Sequence, residues 1–367
     1  MSYKKLAIVL SVLIVGLTFF FFRNTSAVGQ RGVSKTTITP EKIASVPTLS
    51  LETIFDGKDA SEGLPKDHLR TIIATGDVIP ARSVNVQTVK HGDFLWPYRY
   101  TASYVKDADL TFINLETPLL KNCPMTTEGM IFCGSNRHVE GLLFAGVDVA
   151  SLANNHAGNH GTSGVMETKE LLEKAGIEVT GIKGAVYKEI RGLWFAFLGY
   201  NDIGAPEETI SWAQKEDIKK EISTARKNAD IVIVTYHWGV EYRDQPDERQ
   251  KELGHFTIDS GADMVIGNHP HWIQPVELYK GKLITYAHGN YIFDQMWSQK
   301  TREGVIGKYV FYDTRLIDVE YAPLVINDFG QAKFAEATQK LSLLKRMETE
   351  SYILHGQYAT TITSGGN

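Results

Sequence analysis

The sequence is poor in cysteine, in net charge and in long apolar runs. Only two of its 367 residues are cysteines, Cys123 and Cys133. Two thiols at this spacing match no zinc signature, which counts against a cysteine-based metal domain. The formal net charge is only −5, so the charge balance gives no reason to expect nucleic acid as a partner. A hydrophobic content of 43% and a charged content of 22% are ordinary for a globular protein.

The long apolar run that the chain does have lies at its N-terminus. Lys4 and Lys5 precede an uncharged stretch over residues 6–22, and Arg23 closes it. Its length is near the lower limit for a membrane-spanning helix and exceeds the usual apolar region of a cleaved signal. We interpret residues 1–27 as an uncleaved membrane anchor, with cleavage near the small residues 25–27 as the alternative. The leading lysines predict a single-pass protein with its N-terminus in the cytoplasm and its domain outside.

The rest of the chain divides by composition. Residues 28–68 are rich in Thr, Ser, Lys and Pro without a sustained period, which is typical of a linker. Strands alternate with helices over residues 69–348, which predicts an α/β domain, and residues 349–367 are expected to form a flexible tail. In an exported chain Cys123 and Cys133 are expected to form a disulfide, with two free thiols as the alternative.

Five predicted strands end at residues that can bind a metal ion or move a proton. In chain order these residues are Asp77, Asn114 with Glu116, Asn155 with His156, His237, and His269 with His271. The carboxyl ends of strands are where α/β proteins collect their sites. A single site at one edge of a sheet would explain why all five predicted strands end in such residues.

Each of these residues also has a plainer interpretation. His269 and His271 flank Pro270 and could form a polar turn with two solvated histidines. Asn155 could cap the helix that follows it. His237 lies between two aromatic residues, where a lone histidine is more often packed than catalytic. The repetition of the pattern at strand ends favours the functional interpretation.

The ordered motifs resemble the calcineurin-like metallophosphoesterase superfamily, and more closely its branch of bacterial capsule and poly-γ-glutamate synthesis proteins, the CapA (PgsA) family. The matching motifs are Gly76-Asp77, Asn114-Leu115-Glu116, Leu152-Ala153-Asn154-Asn155-His156, His237-Trp238-Gly239 with Glu241-Tyr242, His269-Pro270-His271 and Gly289-Asn290-Tyr291-Ile292-Phe293-Asp294. The resemblance implies a four-layer α/β/β/α metallophosphoesterase-like sandwich, preceded by an N-terminal membrane helix. It also implies a bacterial cell membrane protein whose domain is extracytoplasmic.

The resemblance assigns a role to each position. Glu116 would bridge two metal ions, and His156 would be the catalytic acid that protonates a leaving group or the donor that stabilises an oxyanion. One ion would be completed by Asn155, His237 and His269, and the other would be held by Asp77 and His271. The substrate pocket would be lined by Arg82, Glu241, Tyr242 and Asn290. Oxygen and nitrogen ligands of this kind suit one or two divalent ions of manganese, iron or zinc.

The sequence departs from the family pattern at several positions. Ile79 stands where the wider superfamily has a histidine ligand, and the bridging residue is glutamate rather than aspartate. Asn159 replaces an aspartate, and His288 replaces a small or apolar residue. We therefore expect the ion at Asp77 and His271 to bind less tightly than the other. His160 and His288 are the alternative ligands that would compensate.

Two functions remain open at this point. The first is a metal-dependent hydrolase or transferase-like protein of capsule or poly-γ-glutamate synthesis, with a phosphoester or an anionic polymer as substrate. The alternative is a non-catalytic metal-binding assembly or polymer-binding subunit that works with other capsule synthesis subunits. His156 favours the enzyme, because a scaffold has little need of a proton donor at that position.

Overall fold

The structure is a computed structural model that describes residues 46–364, with side chains described to residue 356. The predicted anchor at residues 1–27 lies outside the described residues. Within residues 46–364, none of the helices combines the length and the apolarity needed to cross a bilayer.

Strands and helices alternate along most of the described chain. The strands are β1 (Leu69–Val78), β2 (Leu110–Leu115), β3 (Leu119–Leu120), β4 (Gly134–Ser135), β5 (Val149–Ser151), β6 (Glu178–Thr180), β7 (Val186–Ile190), β8 (Leu193–Asn201), β9 (Ile231–His237), β10 (Met264–Asn268), β11 (Val276–Tyr279), β12 (Lys282–Thr285), β13 (Asn290–Ile292), β14 (Glu303–Tyr312), β15 (Arg315–Asn327) and β16 (Gln331–Phe334). The α-helices are α1 (Leu51–Phe55), α2 (Arg82–His91), α3 (Ala102–Val105), α4 (His138–Phe144), α5 (Gly161–Lys174), α6 (Lys215–Ala225), α7 (Glu248–Asp259), α8 (Gln299–Arg302) and α9 (Ala337–Ser364).

The strands form two large sheets and one small one. The first large sheet has the order β16-β15-β14-β1-β2-β5-β6, with β13 paired to β1, and the second has the order β11-β12-β10-β9-β8-β7. Strands β3 and β4 form a separate pair. Strands β1, β2, β5 and β6 run parallel, as do β8, β9, β10 and β12. Parallel strands place their carboxyl ends at one edge of a sheet, which sets the position of the site.

The two large sheets pack face to face through apolar side chains. Phe112 of β2 stacks on Phe197 of β8 with 6.0 Å between ring centroids, and Phe195 meets Phe311 edge-on at 5.6 Å. A second apolar cluster joins the first sheet to helices α2–α5, and a third joins the other sheet to α6 and α7. Helices therefore cover both outer faces, and the predicted α/β architecture is confirmed.

The boundaries of this domain differ from the predicted ones. Part of the predicted linker packs on the body, because α1 begins at a Ser50–Thr53 capping box and buries Leu51 and Ile54 in the core between the sheets. The predicted flexible tail is helical from its start, since α9 runs past residue 348 to Ser364 and buries Leu354. Both assignments fail for the same reason: contacts with distant strands order these segments, and local composition does not record such contacts.

The structure joins Cys123 to Cys133 in a disulfide, as predicted. The Asn85 side-chain amide lies 3.9 Å from the Cys123 sulfur and 3.7 Å from that of Met125, so α2 supports the bridge. The bridge closes the loop that ends at Phe132 and Cys133, next to the site described below.

Acid is expected to destabilise the fold through His138. This histidine is fully buried, and burial lowers its pKa from 6.5 to about 3. The unfolded chain takes up a proton as the pH falls below 6.5 and the folded one does not until about 3, so stability is lost across that window. The loss attributable to this group is about 2 kcal/mol between about pH 7 and about pH 5.

Urea unfolding at both pH values would measure this contribution. His138→Gln keeps a hydrogen-bond donor for the Asn85 side-chain oxygen, which lies 3.1 Å from Nε2, and does not titrate. The variant should lose less stability than the parent between the two pH values. Equal losses in the two proteins would rule out His138 as the source.

Candidate metal centre

The carboxyl ends of the two sheets bring the predicted ligand residues together. In the first sheet Asp77 on β1 is in register with Asn114 on β2. In the second sheet His237 on β9 is in register with Asn268 on β10, and the turn after β10 carries His269. The amide of Asn114 donates to Asp77 Oδ1 at 2.8 Å and lies 3.3 Å from His237 Nδ1, so it ties the two sheets together at this edge.

One cluster consists of Glu116, His237 and His269. Glu116 Oε1 lies 3.3 Å from His237 Nε2, and that nitrogen lies 3.1 Å from His269 Nδ1. One ligand atom from each residue falls within 4.8 Å of the others, a spacing that could hold a metal ion. All three residues are buried.

A second cluster shares Glu116 with the first. It consists of Asp77, Glu116 and His271, again with ligand atoms within 4.8 Å of one another. His271 Nδ1 lies 3.1 Å from Asp77 Oδ2 and 2.9 Å from Asn290 Oδ1. The carboxylate of Glu116 therefore lies between two groups of ligands, where a bridging carboxylate is expected.

A third combination includes a residue that sequence reasoning assigned only to the substrate pocket. Glu241, His269 and His271 also offer ligand atoms within 4.8 Å of one another. Glu241 is half-buried and lies three residues after the buried Trp238. The signal that could have identified it as a ligand was its place shortly after β9, the strand that ends in His237.

The turn that carries the two histidines is conformationally strained. His269 has a φ of 96° and His271 a φ of 57°, both in the left-handed region that non-glycine residues rarely adopt. The carbonyl of Pro270 between them accepts a hydrogen bond from the Tyr242 backbone at 2.9 Å. Strain of this kind persists where surrounding contacts hold it, and it clusters at functional sites.

Burial and the charges of neighbouring side chains set the protonation states of the residues in the clusters. Burial lowers the pKa of His237 to about 3 and holds that of His269 well below its usual value, so both rings are neutral and able to donate an electron pair to a metal. Burial and then the charge of Asp77 raise the pKa of Glu116. Burial alone would raise the pKa of Asp77, but the hydrogen bond and charge of His271 lower it. Burial works against a charged His271, yet Glu116 and Asp77 raise its pKa to about 9.

The unsatisfied atoms of the centre fit a cation. Both carboxylate oxygens of Glu116 and the side-chain oxygen of Asn155 are buried without a hydrogen-bond partner among the described residues. Buried polar atoms are normally paired, and an unpaired carboxylate is especially costly. Electron-pair donors without hydrogen atoms to share, such as the Glu116 oxygens beside the neutral ring of His237, are what a divalent metal ion requires.

His156 lies beside the clusters and is held by its neighbours. Its ring stacks on Phe132 with 4.0 Å between centroids. Asn159 Oδ1 accepts the Phe132 backbone N–H at 2.6 Å and lies 3.0 Å from His156 Nδ1. Because an amide oxygen only accepts, Nδ1 carries the hydrogen and Nε2 is left with a free electron pair. Burial lowers the pKa of His156 to about 4.

The predicted pocket residues divide into two groups. Arg82, Glu241 and Tyr242 line a cavity of about 410 Å³, together with His156 and His271. Asn290, in contrast, is fully buried behind His271, and its amide donates to the Thr301 carbonyl at 2.8 Å. We therefore correct its role from lining the pocket to orienting His271.

The structure shows where the residues that depart from the family pattern lie. Ile79 is fully buried in the core beneath the helices, so its position supplies no ligand. Nε2 of His288 lies 2.6 Å from the hydroxyl of Tyr309. Neither His160 nor His288 belongs to the three clusters found among residues 46–356. The missing ligand at the Asp77 and His271 position is thus not replaced by either histidine.

Comparisons with known proteins found similar sequences and a similar fold. The family model described as bacterial capsule synthesis protein PGA_cap matches residues 71–295. A capsule biosynthesis protein CapA of Bacillus anthracis is 29% identical over 77% of this chain and 73% of its own length. A PGA biosynthesis protein CapA of Bacillus subtilis is 29% identical over 75% of this chain and 76% of its own. A crystal structure described as a novel phosphatase from Mycoplasma pneumoniae has a TM-score of 0.50 at 13% identity, covering 70% of this chain and 94% of that one, a likeness of fold alone.

Proposed function

The chain belongs to the family of bacterial capsule synthesis proteins described as PGA_cap, and on that premise we propose that it is a metal-dependent phosphoesterase acting in capsule or poly-γ-glutamate synthesis. The observation that carries the proposal is the fully buried Glu116, which has two unpaired oxygens and is shared by two clusters of ligand residues. A carboxylate in this state is unfavourable in a scaffold that binds no cation.

In such a reaction, some residues of the chain would hold the metal ions and another would transfer a proton. A divalent metal ion bound here would polarise the phosphoester and offset the charge that develops on its oxygens. Glu116, His237, His269 and Asn155 would hold one ion, and Asp77 and His271 the other with Glu116 shared. His156 lines the cavity, and the free electron pair of its Nε2 would take up a proton from the attacking water and then give that proton to the leaving group. The donor set suits manganese, iron or zinc.

The second candidate is a non-catalytic assembly subunit that uses the metal to bind an anionic polymer. The observation in its favour is Ile79, which leaves one metal position short of a ligand. The two candidates differ in what happens to a bound phosphoester. An enzyme turns it over and needs His156, whereas an assembly subunit only retains it.

Turnover by the purified full-length protein decides between them. We expect hydrolysis of bis-p-nitrophenyl phosphate or p-nitrophenyl phosphate, loss of that activity after chelation, and recovery with one of the three candidate metals. γ-Glutamyl peptides should be tested in parallel, because the family's polymer is an alternative substrate. Bound metal without turnover of any of these compounds would favour the assembly subunit.

The proposal includes a membrane anchor at residues 1–27 with the domain outside the cell. It is supported by Lys4 and Lys5 ahead of the apolar stretch at residues 6–22. Protease added to intact spheroplasts should then digest the domain, while a cytoplasmic marker protein survives. A domain that resists protease until the membrane is broken would contradict this orientation.

A further inference from the structure

The cavity beside the candidate metal centre has an aromatic wall. Five aromatic side chains line it: Phe132, Tyr242, Phe293, Trp297 and Phe329. The inner part of the wall touches the centre, since Phe132 stacks on His156 at 4.0 Å and Phe293 lies 5.3 Å from His271, between ring centroids. The cavity therefore runs outward from the clusters along ring faces.

The outer part of the wall is open to solvent. Trp297 is 63% exposed and Phe329 is 45% exposed, and Met130 beside them is 62% exposed. The Tyr242 ring meets Trp297 edge-on at 4.9 Å, and Gln295 donates to the Tyr242 hydroxyl at 3.0 Å. Exposed apolar side chains gathered at the mouth of a cleft mark a binding surface more often than scattered ones do.

The backbone holds Tyr242 in place at the junction of the two parts. Its φ is 61°, in the left-handed region, and its N–H donates to the Pro270 carbonyl in the strained histidine turn. The ring centroids of Tyr242 and His271 are 6.3 Å apart. A ligand group that extends outward from the clusters would therefore contact the ring of Tyr242 and then that of Trp297.

The charges of the cavity do not suit a second anionic group. Among the described residues that line it, Arg82 is the only Lys or Arg, and its guanidinium is already paired with Asp294 and bonded to the Gly129 carbonyl. Its plane also lies over the rings of Phe132 and Phe293, at 4.9 and 5.0 Å from their centroids. Glu128 and Glu241 line the same cavity, and neither makes an ion pair with lysine or arginine among residues 46–356. A carboxylate on a ring that extends outward from the metal centre would meet the Glu128 carboxylate, and among the described residues the cavity offers it no unpaired lysine or arginine.

We propose that this cavity is a subsite for an uncharged ring, aromatic or sugar, attached to the phosphate that the metal centre binds. The inference rests on the proposed function and narrows its substrate class. Rings favour such a wall because stacking and C–H contacts with aromatic faces add to the burial of apolar area. A polyanionic chain bound at the centre would have to lie outside this cavity, because like charges exclude it.

Binding of non-hydrolysable phosphonates to the metal-loaded full-length protein tests the subsite without relying on turnover. Titration calorimetry should give phenylphosphonate an affinity about tenfold higher than methylphosphonate, and 4-carboxyphenylphosphonate should lose most of that advantage. The methylene phosphonate analogues of glucose 1-phosphate and glycerol 1-phosphate, which are not hydrolysed either, separate a sugar from an aromatic ring: a higher affinity for the glucose analogue than for the glycerol analogue indicates a sugar.

Substitutions test whether the aromatic wall causes the difference in affinity between the phenyl and the methyl ligand. Trp297→Ala should cut the phenyl-to-methyl affinity ratio several-fold, and Trp297→Phe should restore most of it. Glu128→Gln should improve the binding of the carboxylated ring relative to the plain one. Tyr100→Ala is the matched control: Tyr100 is 53% exposed but does not line this cavity, so the ratio should not change.

The outcomes separate this inference from the proposed function. A phenyl-to-methyl ratio near one, or a ratio that Trp297→Ala leaves intact, overturns the subsite even if phosphoesters are hydrolysed. A high ratio that Trp297→Ala lowers supports the subsite even if turnover is absent, in which case the phosphoesterase proposal fails alone. Tight binding of the carboxylated ring in the unmodified protein would overturn the charge argument.

Discussion

Replacing His237 with alanine is expected to strip the tightly held metal ion from the purified protein. Nε2 of His237 lies 3.3 Å from Glu116 Oε1 and 3.1 Å from His269 Nδ1, at the middle of the first cluster. Its ring is neutral at physiological pH, so it need lose no proton to bind. Removing a partner that merely supports a ligand costs about 10–100-fold in metal affinity, and removing the ligand itself should cost more.

The second metal position should behave differently. It includes Asp77 and His271, and His271 has a pKa raised to about 9, so a metal must displace its proton at neutral pH. Ile79 adds no ligand there. Asp77→Ala should therefore leave the tight metal in place and lower mainly the activity.

Elemental analysis after dialysis measures both effects. The unmodified protein should retain about one metal per chain, the His237→Ala variant close to none, and Asp77→Ala about as much as the unmodified protein. His91→Ala, on the exposed end of α2, is the matched control and should retain the metal. Two tight ions per chain would contradict the asymmetry, and no bound metal would contradict both the phosphoesterase and the metal-dependent assembly subunit.

Replacing His156 with asparagine is expected to lower hydrolysis by about 10²–10⁴-fold, the usual contribution of a positioned acid or base. The ring is fixed by its stack on Phe132 and by Asn159, whose side-chain oxygen accepts the Nδ1 hydrogen and leaves Nε2 available. The metal content should stay unchanged, because His156 belongs to none of the clusters found among residues 46–356.

Two measurements make this result specific. kcat/KM for a phosphoester and metal content should be determined on the same preparation, so that a lost metal is not mistaken for a lost acid. His160→Gln is the control, since His160 is a half-buried histidine on the same loop and outside the clusters. Full activity in the His156→Asn variant would remove it from the proposed mechanism.

The candidate ligand residues could be located from the sequence because each lies at or just after the carboxyl end of a strand. Apolar runs ending in Asp77, Glu116 and His237 are local patterns, and parallel pairing carries their ends to one edge whatever the remaining sequence is. The same argument placed the two histidines after β10. The pairing of Cys123 with Cys133 was also accessible, because the chain has no third cysteine.

Other features depend on contacts between segments far apart in the chain. Asn290 supports His271 rather than lining the pocket, because β13 pairs with β1 and places the side chain behind the ring. Phe132 was not identified as a partner of His156, since only the folded loop brings the rings together. Its position next to Cys133, in a disulfide-closed loop, was the one available signal.

By itself the sequence determined the candidate residues for the chemistry and the α/β class of the domain, because strand length, apolar periodicity and the residues at each strand end are local properties. Only the tertiary structure decided which side chains share Glu116, which ring positions His156, how the charges of the cavity are already paired, and where the domain begins and ends. These depend on distances of a few ångströms between residues separated by a hundred or more in the chain. Hydrogen bonds, burial and pKa all follow from such distances, and a linear pattern does not contain them.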